Sequence, residues 1–222
     1  MNTDLRCYLV TSGTGRSTVD AAAQAARAGA GMVQVRAKDT SAAELLELTV
    51  AVAEAVATAG PETRVVVNDR VDIALAARQR GAAVHGVHLG QEDLPVTDAR
   101  ALLGGGAIIG LSAGTIDQVR EADQHHNIVD YLGVGPFRPT PTKDSGREPL
   151  GLAGYSQVVA ATRLPVVAIG DVRPQDVGQL SGTGIAGVAL VRAIMEAQQP
   201  GRVVHDVLAA WQPPERGSSR QH

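Results

Sequence analysis

The stretch MVQVRAKDTSAAELLELTVAVAEAVATAGP, residues 32–61, sets a strand-like segment directly against a helix-like one. Met32 to Arg36 alternates as a strand does, with Val33, Val35 and Ala37 on one side and Gln34, Arg36 and Lys38 on the other. Ser41 and Glu44 have the spacing of a capping box, which predicts a helix over Ala42 to Ala59 that stops at Gly60-Pro61. The same unit recurs along the chain. Further strands are expected at Cys7 to Thr11, Val65 to Asn68, Gly86 to Leu89, Ile108 to Ser112, Tyr131 to Gly135, Val166 to Ile169 and Gly187 to Leu190. Helices are expected at Thr18 to Ala28, Val71 to Arg80, Ile116 to Gln124, Ala153 to Ala161, Pro174 to Leu180, Val191 to Ala197 and Val203 to Trp211. A short one capped by Thr97 should run to Leu103.

Alternation of strand and helix implies parallel strands with right-handed crossovers. Eight such units in 222 residues predict an α/β fold, a single-domain (β/α)8 barrel, with an open doubly wound sheet as the competitor. The barrel should occupy residues 1–211, and the polar tail 212–222, QPPERGSSRQH, should be disordered. A formal net charge of −3 and scarce aromatics argue against nucleic acid as a partner. No apolar run is long enough to span a bilayer, no signal-peptide pattern is seen, and the single cysteine, Cys7, forms no intrachain disulfide; a reduced cytoplasmic setting is expected. Cys7 reads as a buried strand residue rather than a nucleophile.

In a barrel the ends of the strands meet at one mouth. Val33, Val35 and Ala37 should face the helices, which turns Gln34, Arg36 and Lys38 inward and upward. Two cations there call for an anion, phosphate or diphosphate, unless the strand end is frayed and they reach water. Other strand ends bring Asn68, Asp69, Asp93, Ser112, Gly170 and Asp171 to the same rim, and a loop after the sixth strand carries Thr140, Thr142 and Lys143. Helix capping competes as the role of Asn68, a turn before Pro95 as that of Asp93, and a ligand-free tight turn as that of Gly170. Asp69 and Asp93 are the types that hold Mg2+, which takes a few carboxylates with water and phosphate oxygens. Arg36, Lys38 and Lys143 supply the charge that a leaving diphosphate requires. Gly170 and the Val191-Arg192 turn suggest a second phosphate site. His88 is a candidate for the pocket wall. Ser12 to Thr18 lacks a phosphate-loop lysine and reads as a turn, and His125-His126 read as a helix end.

Gln34-x-Arg36-x-Lys38, Asn68-Asp69, His88-x-Gly90-Gln91-x-Asp93, Ser112 and Gly135-Pro136-x-x-x-Thr140-x-Thr142-Lys143 together resemble the thiamine phosphate synthase family, a TIM-barrel family, over nearly the whole barrel. The resemblance implies a transferase that joins 4-amino-5-hydroxymethyl-2-methylpyrimidine diphosphate to a thiazole phosphate. It implies that Gln34 contacts the pyrimidine and that Arg36, Lys38, Asn68 and Lys143 hold the diphosphate. Asp69 and Asp93 would coordinate Mg2+, with Ser112 near the reacting centre and Lys143 beside it. Thr140 and Thr142 would sit on a covering loop, and Gly170, Val191 and Arg192 would take the thiazole phosphate through backbone N–H groups. Two positions depart from the family pattern: Asp171 stands where a second glycine is common, and Arg192 where a serine is common. A thiazole tautomerase-like paralogue and a non-catalytic phosphate-binding barrel are the alternatives. Small molecules are the expected partners, without nucleic acid or membrane, and a homodimer is an allowed assembly.

Overall fold

The computed structural model describes residues 3–139 and 148–211. Eight strands, β1 (Cys7–Val10), β2 (Met32–Val35), β3 (Arg64–Asn68), β4 (Gly86–Leu89), β5 (Ile108–Ala113), β6 (Tyr131–Val134), β7 (Val166–Ala168) and β8 (Gly187–Leu190), pair in chain order and all in parallel. The pairing of Cys7 with Val188 and of Leu9 with Leu190 joins β1 to β8 and closes the barrel, which excludes the open sheet. Between the strands run α1 (Arg16–Arg27), α2 (Ala42–Ala59), α3 (Val71–Gln79), α4 (Val96–Leu103), α5 (Ile116–Gln124), α6 (Gly151–Ala160) and α7 (Val177–Ser181); α8 (Arg192–Met195) and α9 (Pro200–Ala210) follow β8. Among the described residues no helix is long and apolar enough to cross a membrane. The segment 212–222 and the expected site residues Thr140, Thr142 and Lys143 lie outside the described residues.

Side chains alternate between two apolar cores, as strand geometry requires. Val33 and Val35 of β2 belong to the outer core beneath the helices, and Ala37 packs against it. Met32 belongs to the inner one, with Tyr8, Val10, Val66, Tyr131, Val167 and Ala189. Buried alanines at 21, 22, 25 and 26 give α1 a flat face that lets it approach its neighbours closely. The capping box of α2 forms: Ser41 Oγ accepts from the Glu44 N–H at 3.2 Å, and the Glu44 carboxylate accepts from the Ser41 N–H at 3.3 Å.

Boundaries depart from the sequence reading where a side chain ends a ladder or a proline opens a helix. β2 stops at Val35 because the Arg36 N–H donates to Thr11 Oγ1, at 2.9 Å, instead of to a strand carbonyl. Thr97 does not cap α4; Pro95 is the cap and Thr97 lies inside the helix. The helix expected from Pro174 splits into a 3-10 turn, Pro174–Asp176, and α7, while α9 begins at Pro200, three residues before the predicted start, with proline in the first turn, where its missing N–H does no harm.

Candidate active site

A cavity of about 1120 Å³ opens at the C-terminal ends of the strands. Gln34, Arg36 and Lys38 from β2 and its end line it together with Asn68 at the end of β3 and Asp69 just after it, His88 of β4 and Asp93 beyond that strand, and Ser112 of β5. Gly170, Asp171, Val191 and Arg192 line its other side. Every sequence-predicted site residue among those described therefore meets at one mouth. The polar face of VQVRAKD is a cavity wall: Gln34 is buried, Arg36 is half-buried, and Lys38 is exposed at the rim.

The carboxylates form an electrostatic pair. Asp69 has a left-handed backbone (φ 61°) just past β3, and its N–H donates to the His88 carbonyl at 2.8 Å. Although the residue reaches solvent at the rim, its acid is pushed up to about 6. Partial loss of hydration under the surrounding protein is the largest cause, and the adjoining Asp93 carboxyl is next; Asn68 and Arg36 pull in the opposite direction. Asp93 is fixed by the turn that leads to it, its Oδ2 accepting from the Gly90 N–H at 2.6 Å. The two roles weighed for Asp93, turn residue and cavity ligand, are thus compatible. Among the described residues no cluster of three or more His, Cys, Asp or Glu side chains assembles. Two close carboxylates suit a hard cation that keeps water and takes oxygen from its substrate, the habit of Mg2+.

The departures at 171 and 192 are linked. Asp171, also left-handed (φ 52°), accepts from Arg192 Nη2 at 2.5 Å through one oxygen and from Arg173 Nη2 at 3.1 Å through the other. Its negative charge is engaged by two cations, and the trio keeps a net positive charge facing the cavity. Gly170 (φ 105°) leaves no room for a side chain, since an added Cβ would stand 2.6 Å from Pro136 Cα.

Several contributors escape a reading of the sequence. Arg173 lines the cavity without having been marked by the sequence, and Gln91, quoted above in a motif but given no role there, also lines it and donates from Nε2 to the Ser112 carbonyl at 2.6 Å. Arg138 lies over the Phe137 ring, 4.5 Å from its centroid, and donates to Asp176 Oδ2 at 2.6 Å, tying the end of the β6 segment to the turn after β7. Tyr8 forms part of the floor. The β1–β2 register places it on the same side as Gln34, Val10 pairing with Gln34 and Tyr8 with Met32, and that register is not readable from the sequence. Cys7 is fully buried and burial pushes its thiol up to about 12, so it stays protonated and inert.

Comparison with known proteins agrees with this geometry. The chain is 54% identical over 208 residues to the thiamine-phosphate synthase of Corynebacterium jeikeium, covering 94% of this chain and 95% of that one. It is 57% identical over 198 residues to the protein of the same name from Corynebacterium efficiens, covering 89% and 90%. The solved thiamine phosphate pyrophosphorylase of Pyrococcus furiosus superposes with a TM-score of 0.81 at 28% identity, covering 94% of this chain and 96% of that one. Residues 7–194 match the family described as thiamine monophosphate synthase, and with that span this chain belongs to the thiamine monophosphate synthase family.

Proposed function

We propose that this chain catalyses the coupling of 4-amino-5-hydroxymethyl-2-methylpyrimidine diphosphate with a thiazole phosphate, in its simple or carboxylated form, giving thiamine phosphate and pyrophosphate, with carbon dioxide also released when the carboxylated form reacts. The gathering of Arg36, Lys38, Asn68, Asp69 and Asp93 on one cavity wall carries this reading. In the reaction the bond between the pyrimidine methylene carbon and the diphosphate oxygen breaks, and diphosphate departs with the electron pair. The electron-rich aminopyrimidine bears the resulting cation, and the thiazole nitrogen closes the new C–N bond. Such a substitution asks the protein to orient two substrates and to stabilise a departing anion, and it needs no protein nucleophile.

Arg36, Lys38 and Asn68 are assigned to the diphosphate, joined by Lys143, which lies outside the described residues along with Thr140 and Thr142 of the same loop. Gln34 is assigned to the pyrimidine and Ser112 to the reacting centre. Asp69 and Asp93 are assigned to Mg2+, which when bound adds positive charge against the leaving group. Removing divalent metal with a chelator is expected to abolish turnover, and added Mg2+ to restore it; undiminished turnover in excess chelator counts against the metal assignment.

The thiazole phosphate is assigned to Gly170, Val191 and Arg192. Since Arg192 and Arg173 outnumber Asp171, this end of the site offers side-chain charge in addition to backbone N–H groups. Arg192→Ala is expected to raise KM for the thiazole phosphate about tenfold, the loss of one charge-assisted hydrogen bond, with a smaller change for the pyrimidine diphosphate. Equal changes in both KM values would contradict the assignment.

The function itself is tested by mixing purified protein with both substrates and Mg2+ and measuring thiamine phosphate. Coupling supports the synthase. Isomerisation of the thiazole without coupling would mean a tautomerase-like role, and binding without turnover a regulatory one.

A further inference from the structure

A line of hydrogen bonds crosses the barrel interior beneath the cavity. Gln34 Nε2 donates to Tyr8 Oη at 2.7 Å, Tyr8 Oη lies 2.7 Å from Tyr131 Oη, Tyr131 Oη lies 3.0 Å from His88 Nδ1, and His88 Nε2 lies 2.9 Å from Ser112 Oγ. The line joins side chains from β1, β2, β4, β5 and β6. Tyr8, Gln34, His88 and Tyr131 are all buried. Room for it is made by glycine. A Cβ at Gly110 would stand 2.2 Å from Tyr131 Cζ and 2.5 Å from His88 Nδ1, and one at Gly133 would stand 2.9 Å from His88 Cε1.

Each phenol has one proton, and that restricts the direction of the line. The Tyr8 oxygen already receives the amide N–H of Gln34, which cannot accept, so the Tyr8 proton goes to Tyr131. The Tyr131 proton then goes to His88 Nδ1. His88 is thereby a neutral imidazole carrying its proton on Nε2, which it gives to Ser112 Oγ. Ser112 keeps its own proton to give to the cavity, and Gln34 keeps its amide oxygen for a donor on a ligand. Burial pushes both tyrosine hydroxyls up, so both remain protonated donors at neutral pH. The opposite direction would start from the Gln34 amide oxygen, place the imidazole proton on Nδ1, and make Ser112 an acceptor.

We propose that Tyr8, Tyr131 and His88 are positioning residues whose one-way hydrogen-bond line presents Ser112 to the cavity as a proton donor and Gln34 as an acceptor. The inference rests on the proposed function, in which Ser112 faces an anionic leaving group and Gln34 an aminopyrimidine. A donor at one end and an acceptor at the other is the polarity those two groups require. Reversing it would set two acceptors, Ser112 and a diphosphate oxygen, against each other.

The test has two arms. In the first, 15N NMR of the imidazoles of the intact protein, with His88 assigned by the signal missing in His88→Asn, reads the tautomer without any turnover. The Nε2–H form at neutral pH is expected; the Nδ1–H form or a protonated ring overturns the inference. In the second, Tyr131→Phe and Tyr8→Phe each remove one oxygen from the line. Each is expected to lower kcat about tenfold, the loss of one positioning hydrogen bond, with KM for both substrates within about twofold. In Tyr131→Phe, the hold on the Nε2–H form should also be lost. Wild-type kcat in both variants, or a joint fall of kcat and affinity with the His88 tautomer unchanged, would reduce the tyrosines to space-filling. A wild-type protein that couples nothing would refute the function, while the NMR arm would still decide the direction of the line.

Discussion

Asp93→Ala is expected to reduce turnover by about 10²- to 10³-fold, the range for removing one group that stabilises charge developing in a transition state, while leaving the barrel folded. Asp93 lies past the end of β4 on the cavity rim, partly exposed and outside both apolar cores. Its loss frees one hydrogen bond, from the Gly90 N–H, which is itself partly exposed and can turn to water. The expected effect on stability is therefore only about 1 kcal/mol. The carboxyl that holds Asp69 up would also vanish, so Asp69 should ionise at lower pH in the variant. One carboxylate would remain where two are proposed to hold the metal. Lys143→Ala, at a position outside the described residues, should weaken turnover severely by a different route, through loss of charge against the diphosphate. Steady-state rates beside thermal melts check both variants. Near-normal rates in both would remove the diphosphate clamp.

Gly86→Ala is expected to act in the opposite sense, on the fold before the chemistry. Gly86 faces the barrel interior two residues before His88 and pairs with Val66 on one side and Ile108 on the other. A Cβ there would stand 1.8 Å from the Ile108 carbonyl oxygen and 2.7 Å from its nitrogen, and those are backbone atoms that cannot rotate away. β4 would have to move from β5, and the two strands carry His88 and Ser112. Such overpacking costs about 3 kcal/mol. For a chain of this size that lowers Tm by on the order of 10 °C. Thermal denaturation followed by circular dichroism measures it, and a melt within about 1 °C of wild type would contradict the close packing of β4 on β5.

What could be read from the sequence was what short-range physics decides. The helix after β2 starts and stops where Ser41, Glu44 and Gly60 predict, because a capping box is closed by residues three apart. The inward turn of Gln34 and Arg36 follows from strand parity once Val33 and Val35 are given to the helices. The rim residues were legible for the same reason, as each is the polar group that follows an apolar run. The carboxyl of Asp171 was not, because its direction depends on Arg192, 21 positions away. Nor was the floor of the cavity, where Tyr8 and Tyr131 are 123 positions apart and nothing in CYLV marks the tyrosine as the inward residue. The helical span expected from Pro174 to Leu180 is present but split into a 3-10 turn and a short helix, while the helix after β8, Arg192–Met195, is three residues shorter than the expected Val191 to Ala197.

Groups distant in sequence are proposed to enclose one metal-bound diphosphate. A crystal structure of the protein with Mg2+ and pyrophosphate tests this most directly. One metal ion held by Asp69 and Asp93, with the pyrophosphate against Arg36 and Asn68, is expected. Pyrophosphate bound away from these side chains, or a metal ion that touches neither aspartate, would contradict the proposal.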